Sequence, residues 1–274
     1  MRLATARTGT GTRAVRVTED GLVDLGRPDV GAVLELPDWP RRAAAVGPAL
    51  PGDVELAPVV PRPGKVLCVG LNYRNHIMEM GRELPAYPTL FAKFAEALIG
   101  ATDDIALPPE SAAVDWEAEL AVVIGRTVRR ADEREAAAAI AGFTVLNDVT
   151  ARDWQYRTTE WLQGKTFEGS TPLGPVLVTP DELPGGVRPA LPLSATLDGE
   201  IVQTADTSDL VFDPVALVRY ASTILTLRPG DIIATGTPGG VGHARKPPRY
   251  LTDGALLVTE IGGIGRLTNT ARSS

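Results

Sequence analysis

Cysteine is almost missing: Cys68 stands alone in 274 residues. An internal disulfide is excluded, as is a zinc site built from several thiolates, and the chain suits a reducing compartment. Histidine is limited to His76 and His243, so any imidazole chemistry has two candidates. The lysines are only Lys65, Lys93, Lys165 and Lys246, which makes each one easy to inspect. No charged start leads into an apolar core and a small-residue cleavage site, and no run approaches the about 18 apolar residues of a membrane span. A cytoplasmic protein without a membrane partner is expected. Positive charge is also in deficit, since 27 Lys+Arg against 34 Asp+Glu leave a net charge of −7. That balance offers no general attraction for nucleic acid, and no nucleic-acid partner is expected. Internal repeats and low-complexity tails are absent. No G-x-G-x-x-G follows a first strand, and the glycine-rich loop near residue 240 lacks the lysine and spacing of a P-loop, so no nucleotide is implied.

What is present is ordinary for a globular protein: 44% apolar and 22% charged residues, over a length that buries a substantial core. Residues 1 to about 60 read as a small β-rich unit. Ala14–Val17 and Leu22–Leu25 flank an Asp20-Gly21 turn, a hairpin signal, and a short helix follows near Trp39 to Val46. A proline-rich connection reaches Gly64. From residue 63 to 274 the pattern predicts a second, larger domain. Its strands are Lys65–Gly70, Leu90–Lys93, Val114–Ile124, Phe143–Leu146, Asp231–Ala234 and Ala255–Gly262, with a second hairpin at Asp198-Gly199. Helices are predicted over 71–81, over 132–140 from Asp132, over 151–161 with Thr150 as its cap, and over 214–226 from Asp213. The fold class is α+β and rich in β-structure.

The chemistry concentrates at Val114-Asp115-Trp116-Glu117-Ala118-Glu119-Leu120. As one strand it places Asp115, Glu117 and Glu119 on a common face, neighbours about 6.6 Å apart. Stacked carboxylates drawn inward by an apolar strand repel one another and lose hydration, a costly arrangement unless a cation compensates it. A hard divalent ion is one compensation, with Asp148, at the end of the Phe143–Leu146 run, as a third oxygen ligand. A solvated edge paired with arginines is the other. His76 and Glu79, three apart in a helix, can touch and make a general base with its orienting carboxylate; equally, His76 packs or caps a surface helix. Lys165, on a glycine-bearing loop, either neutralises an anionic intermediate or closes a salt bridge. Lys93 either holds a substrate carboxylate or is a surface charge. The loop Thr235–Gly242 offers backbone amides and the Thr237 hydroxyl to a small carboxylate, or is simply a set of tight turns.

Five ordered stretches, CVGLNYRNHIMEMG from Cys68, VDWEAELAVVIGR from Val114, NDVTARDWQ from Asn147, GKTFEGSTPLGP from Gly164 and PGDIIATGTPGGVG from Pro229, together resemble the fumarylacetoacetate hydrolase family. The resemblance spans roughly residues 63 to 270. It implies a mixed β-sandwich roll for the catalytic domain, a small N-terminal domain, a homodimer, and a Mg²⁺ ion, with Mn²⁺ or Ca²⁺ as substitutes. By the same likeness Glu117, Glu119 and Asp148 match metal ligands. His76 and Glu79 match a water-activating dyad on a mobile lid, and Lys165 matches the lysine near the metal. Asn72, Tyr73, Lys93, Arg152, Gln155, Gly236 and Thr237 fall on the substrate side. Trp116 stands where tyrosine is usual, Phe94 where proline is common, and Ala101 replaces a frequent proline. The expected activity is metal-dependent hydrolysis of the C3–C4 bond of a 2,4-dioxo acid, an acylpyruvate-like compound, giving pyruvate and a carboxylic acid. Decarboxylation, tautomerisation or isomerisation through the same enolate is the alternative, and a non-catalytic metal-binding scaffold is the reading of a different class.

Overall fold

The structure, a computed structural model, describes residues 1–50, 54–79, 81 and 83–273; of Glu79 only the backbone is described. Two sheets dominate it. The larger runs in the order Ala49–Leu50, Gly21–Asp24, Gly11–Thr18, Arg2–Thr8, Thr171–Val178, Ile140–Asn147, Ala118–Ile124, Ile232–Ala234, Val66–Gly70 and Thr89–Lys93, with Leu98–Ile99 also pairing Thr171–Val178. Most neighbours are antiparallel, but Ile232–Ala234 lies parallel to Val66–Gly70 and Leu98–Ile99 parallel to Thr171–Val178, so the sheet is mixed. The smaller sheet orders Glu200–Asp206, Pro192–Leu197, Leu256–Ile261, Gly265–Ser273 and Ile105–Leu107.

The strand Ala118–Ile124 explains how the layers hold together. Every residue of it is buried, as β-branched residues in a strand covered on both faces should be. Alternation sends Leu120, Val122 and Ile124 into one core, with Phe143, Leu193, Leu257 and Leu267 contributed by both sheets. Ala121 and Val123 enter a second core with Val66, Cys68 and Leu177. Fully burying each such Val or Leu contributes on the order of 1.5–3 kcal/mol.

Local signals worked where they were self-contained. Gly11–Thr18 and Gly21–Asp24 form the first hairpin, with Val17 opposite Leu22; the second joins Pro192–Leu197 to Glu200–Asp206 around Asp198-Gly199. Asp132 caps Glu133–Ala139 in a reciprocal capping box with Glu135, and Asp213 accepts the Ala216 amide to cap Pro214–Ile224. The N-terminal strands hydrogen-bond into the larger sheet, where Arg2 lies opposite Val178.

Two predicted elements differ from what forms. Of the helix predicted over 151–161 only Arg152–Gln155 forms, and a second short helix, Leu162–Lys165, begins just beyond that range. The Thr150 hydroxyl donates to the Asp148 carbonyl at 2.8 Å instead of capping. The second piece packs on the first through Gly164, where a Cβ would lie 2.4 Å from the Gln155 nitrogen and 2.5 Å from the Ala151 oxygen. The strand expected over 114–124 is also interrupted: Val114–Asp115 pairs with Thr150–Ala151 in a ribbon of its own, and Ala118–Ile124 resumes in the large sheet.

Candidate active site

The interruption at Trp116-Glu117 sets the geometry. Ala118 pairs with Asn147 and Glu119 with Leu146, so both strands arrive at the same end of the sheet. Two further bonds lock that end: the Asp148 amide donates to the Glu117 carbonyl at 2.8 Å, and the Glu117 amide donates to Asn147 Oδ1 at 2.9 Å. Glu117, Glu119 and Asp148 are thereby gathered, one oxygen from each lying within 4.8 Å of the others. All three are buried.

Buried cations surround them. The Lys165 ammonium donates to Glu117 Oε2 at 2.7 Å and to Asp148 Oδ2 at 2.8 Å. Lys93 donates to Asp148 Oδ1 at 2.6 Å and to the Val149 carbonyl at 3.0 Å. Arg152 reaches Glu117 Oε1 at 2.7 Å and Asp115 Oδ2 at 2.8 Å. Burial opposes the charge on Lys165, but Asp148 and Glu117 outweigh it and hold the ammonium protonated. Burial likewise opposes ionisation of Asp148, and the two lysines overcome it, so its carboxyl stays below the usual range. Glu119 behaves differently. Burial, then repulsion from Asp148 and Glu117, pushes its carboxyl well above the ordinary value, although the Gly236 amide donates to it at 2.8 Å. A triad with one carboxyl so poorly compensated is a set of hard oxygen donors suited to a cation, and the residues present fit a metal ion.

Of these groups Glu117, Glu119, Lys165 and Arg152 line a cavity of about 320 Å³ with Gln155, Thr237 and the half-buried His76, while Asp148 and Lys93 are fully buried outside its lining. A wider cleft of about 690 Å³ beside Leu34–Pro40 and Gly125–Thr127 has none of the acid cluster in its walls, so size alone would misplace the chemistry. Other expected contacts lie behind the cavity wall. The Asn72 carboxamide ties together the Thr235 carbonyl, the Phe212 carbonyl and the Phe212 amide. Tyr73 is 1% exposed, and its hydroxyl has no hydrogen-bond partner among the described residues. Lys93 is spent on Asp148, and Gly236, at φ +99, turns the chain so tightly that a Cβ would sit 2.9 Å from the Val69 oxygen. The Thr237 hydroxyl donates to the Ala118 carbonyl at 3.0 Å and accepts from Gln203 Nε2 at 2.8 Å. The Glu79 side chain lies outside the described residues, so its pairing with His76 is not part of this geometry. Trp116 is fully buried with its indole aimed at the Gly240 carbonyl, Ala101 is buried, and Phe94 is 54% exposed.

Asp115 does not join the triad. It accepts the backbone amides of Trp116, Gly242 and His243 at 2.8, 2.7 and 2.9 Å as well as the Arg152 guanidinium. The glycine-rich loop is thus tied to the acid cluster. Its consequence is that His243, the second imidazole, lines the cavity together with Tyr156, Trp161 and Phe91. Sequence reasoning left all four unassigned. Only the scarcity of histidine pointed toward His243, whose position depends on a contact 128 residues away.

The profile described as fumarylacetoacetate (FAA) hydrolase C-terminal matches residues 65–272. A mitochondrial oxaloacetate tautomerase of Rattus norvegicus is 46% identical over 232 residues, 84% of this chain and 73% of that protein. Among solved structures, a fumarylacetoacetate hydrolase from Exiguobacterium antarcticum superposes with TM-score 0.89 at 31% identity, covering 100% of both chains. A 5-carboxymethyl-2-hydroxymuconate delta-isomerase from Mycobacterium smegmatis gives 0.81 at 34% identity, covering 100% of this chain and 99% of its own. With its profile match, these relatives and its β-rich fold, the chain belongs to the fumarylacetoacetate hydrolase family and is an enzyme of that family.

Proposed function

We propose that the enzyme interconverts the enol and keto forms of an oxaloacetate-like 2-oxo dicarboxylic acid, with Mg²⁺ or Mn²⁺ held by Glu117, Glu119 and Asp148. The observation that carries this reading is one cavity lined by Glu117, Glu119, Lys165 and His76, with an oxygen of the buried Asp148 within 4.8 Å of the two glutamates'. Tautomerisation asks for little else: a seat for a 2-oxo acid, a positive group where the enolate oxygen gathers charge, and a base for the C3 proton. The names of the relatives support it over the hydrolysis expected from the sequence, since tautomerase and isomerase both move protons without consuming water.

Charge agrees with an anionic substrate. Asp115, Glu117, Glu119 and Asp148 confront Lys93, Arg152 and Lys165, leaving one negative charge in excess when all are ionised. A divalent cation held by Glu117, Glu119 and Asp148 would reverse that sign and supply Lewis-acid polarisation of the 2-oxo group. His76 then takes a C3 proton, the C2 oxygen gathers the negative charge, and the Lys165 ammonium faces that oxygen. Returning a proton to the oxygen completes the enol, and the reverse order gives the keto acid. Gln155, fixed by Arg152 Nη1 at 2.9 Å, is placed to orient the substrate carboxylate.

The test follows enol absorbance and released pyruvate separately, using enol oxaloacetate, acetylpyruvate and fumarylpyruvate with metal-loaded protein. Rapid enol loss without pyruvate or carbon dioxide is expected, abolished by chelator and by Glu117→Gln. Faster release of pyruvate and a second acid from either 2,4-dioxo acid would overturn this assignment in favour of C–C hydrolysis.

A further inference from the structure

The cavity lining runs from the buried Arg152 and Lys165 to the exposed His243. At the inner end Arg152 and Lys165, the permanently charged cations of its lining, are both already bonded to carboxylates. A dicarboxylic substrate seated there by its 2-oxo acid end still brings a second carboxylate, which needs a donor farther out. His243 occupies that outer wall. Its backbone amide is held by Asp115 Oδ2 at 2.9 Å, and the same oxygen takes Arg152 Nε at 2.8 Å. Arg152 in turn holds Glu117 at 2.7 Å, so the separation between rim and acid cluster is fixed by a buried relay. The ring itself is restrained as well. Its Nδ1 lies 2.9 Å from the Tyr250 hydroxyl, and its face rests against Tyr156 with centroids 5.4 Å apart and planes at 34°. In the tautomer whose Nδ1 accepts from the Tyr250 hydroxyl, the ring carries its proton on Nε2.

We propose that His243 selects dicarboxylic over monocarboxylic 2-oxo acids by donating from Nε2 to the carboxylate farther from the acid cluster. This rests on the proposed function for the class of substrate, and it adds the group that recognises the distal charge. Tyr250 and Tyr156 act as positioning residues that keep the ring from turning away. A preorganised donor of this kind discriminates strongly, because a substrate lacking the partner leaves the site without its charge-assisted hydrogen bond.

Calorimetric binding of 2-oxoglutarate and of 2-oxobutyrate to the Mg²⁺-loaded protein reads the claim directly, without turnover. The preference for the diacid should fall by about 10- to 100-fold in His243→Ala, the range for losing a hydrogen bond to a charged group. His243→Gln, which keeps an N–H donor, should recover part of the preference, and Tyr250→Phe should lose part of it. Rescue by glutamine would not follow from a merely structural role. Equal weakening of both acids, an unchanged ratio, or no preference in the parent protein would overturn the inference. A fall in the ratio together with no enol conversion by the parent protein would refute the tautomerase reading and leave His243 as a diacid-selecting residue. Enol conversion with an unchanged ratio would refute only the role of His243.

Discussion

Removing the Asp115 carboxylate should damage fold and metal site together, although Asp115 is not placed among the metal ligands. It is fully buried and receives three backbone amides and one guanidinium at 2.7–2.9 Å. In Asp115→Ala the Gly242 and His243 amides lose their acceptor, and Arg152, 5% exposed, keeps only Glu117 and Gln155. Breaking one side of a buried ion pair costs roughly 3–5 kcal/mol. At about 2–4 °C per kcal/mol for a chain somewhat shorter than this one, the melting temperature should drop by roughly 6–20 °C. Because Arg152 orients Glu117, metal affinity should weaken about 10- to 100-fold, the usual consequence of losing a group that orients a ligand. Differential scanning calorimetry and Mn²⁺ titration of the same samples read both effects. Adding Arg152→Leu to Asp115→Ala should cost much less than the sum of the single changes, since the stranded charge is then gone. A melting temperature within about 2 °C of the parent together with unchanged Mn²⁺ affinity would refute the reasoning, as would strict additivity.

Lys165→Met should slow enol conversion by about a hundredfold or more, and should destabilise the metal-free protein more than the metal-loaded one; equal destabilisation would argue that Lys165 and the metal do not share the triad. Gly70→Ala should cost about 1–3 kcal/mol, because its Cβ would lie 2.5 Å from Trp161 Cζ3, and adding Trp161→Phe should return part of that in urea unfolding. Burial disfavours ionised Asp103, yet the Arg7 hydrogen bonds and the Gly100 amide outweigh it and hold its carboxyl below the ordinary range. The stability it contributes is therefore present above the unfolded carboxyl's pKa of about 3.9 and is lost as pH falls through the lower folded value. Arg7→Gln should shift acid unfolding to higher pH in a circular-dichroism titration.

How far the sequence could be read depended on the distance over which each feature is decided. Asp132 and Asp213 announce their helices because the capped amides lie three residues away. Alternation and the end of a neighbouring strand leave a cation site at Glu117, Glu119 and Asp148 as one of two open readings, the one the family resemblance favours, and the structure gathers the three carboxylates. Asp115 shared the same alternation, but its carboxylate is taken up by Arg152 and by backbone amides. The strand breaks after it, where its carboxylate accepts amides from a loop 127 and 128 residues on. The early end of the predicted 151–161 helix after Gln155 followed the same logic, since close packing of Gly164 against Ala151 and Gln155 is a tertiary contact that helix propensity does not contain. His243 needed both the loop and its anchor to be known before its place at the cavity could be seen.

Anomalous diffraction from crystals grown with Mn²⁺ and oxalate addresses the central claim most directly. The account predicts one manganese peak bonded to an oxygen of each of Glu117, Glu119 and Asp148, with oxalate in the cavity beside Lys165. Manganese bound elsewhere, or a triad closed by the lysines while oxalate occupies another cleft, would contradict it.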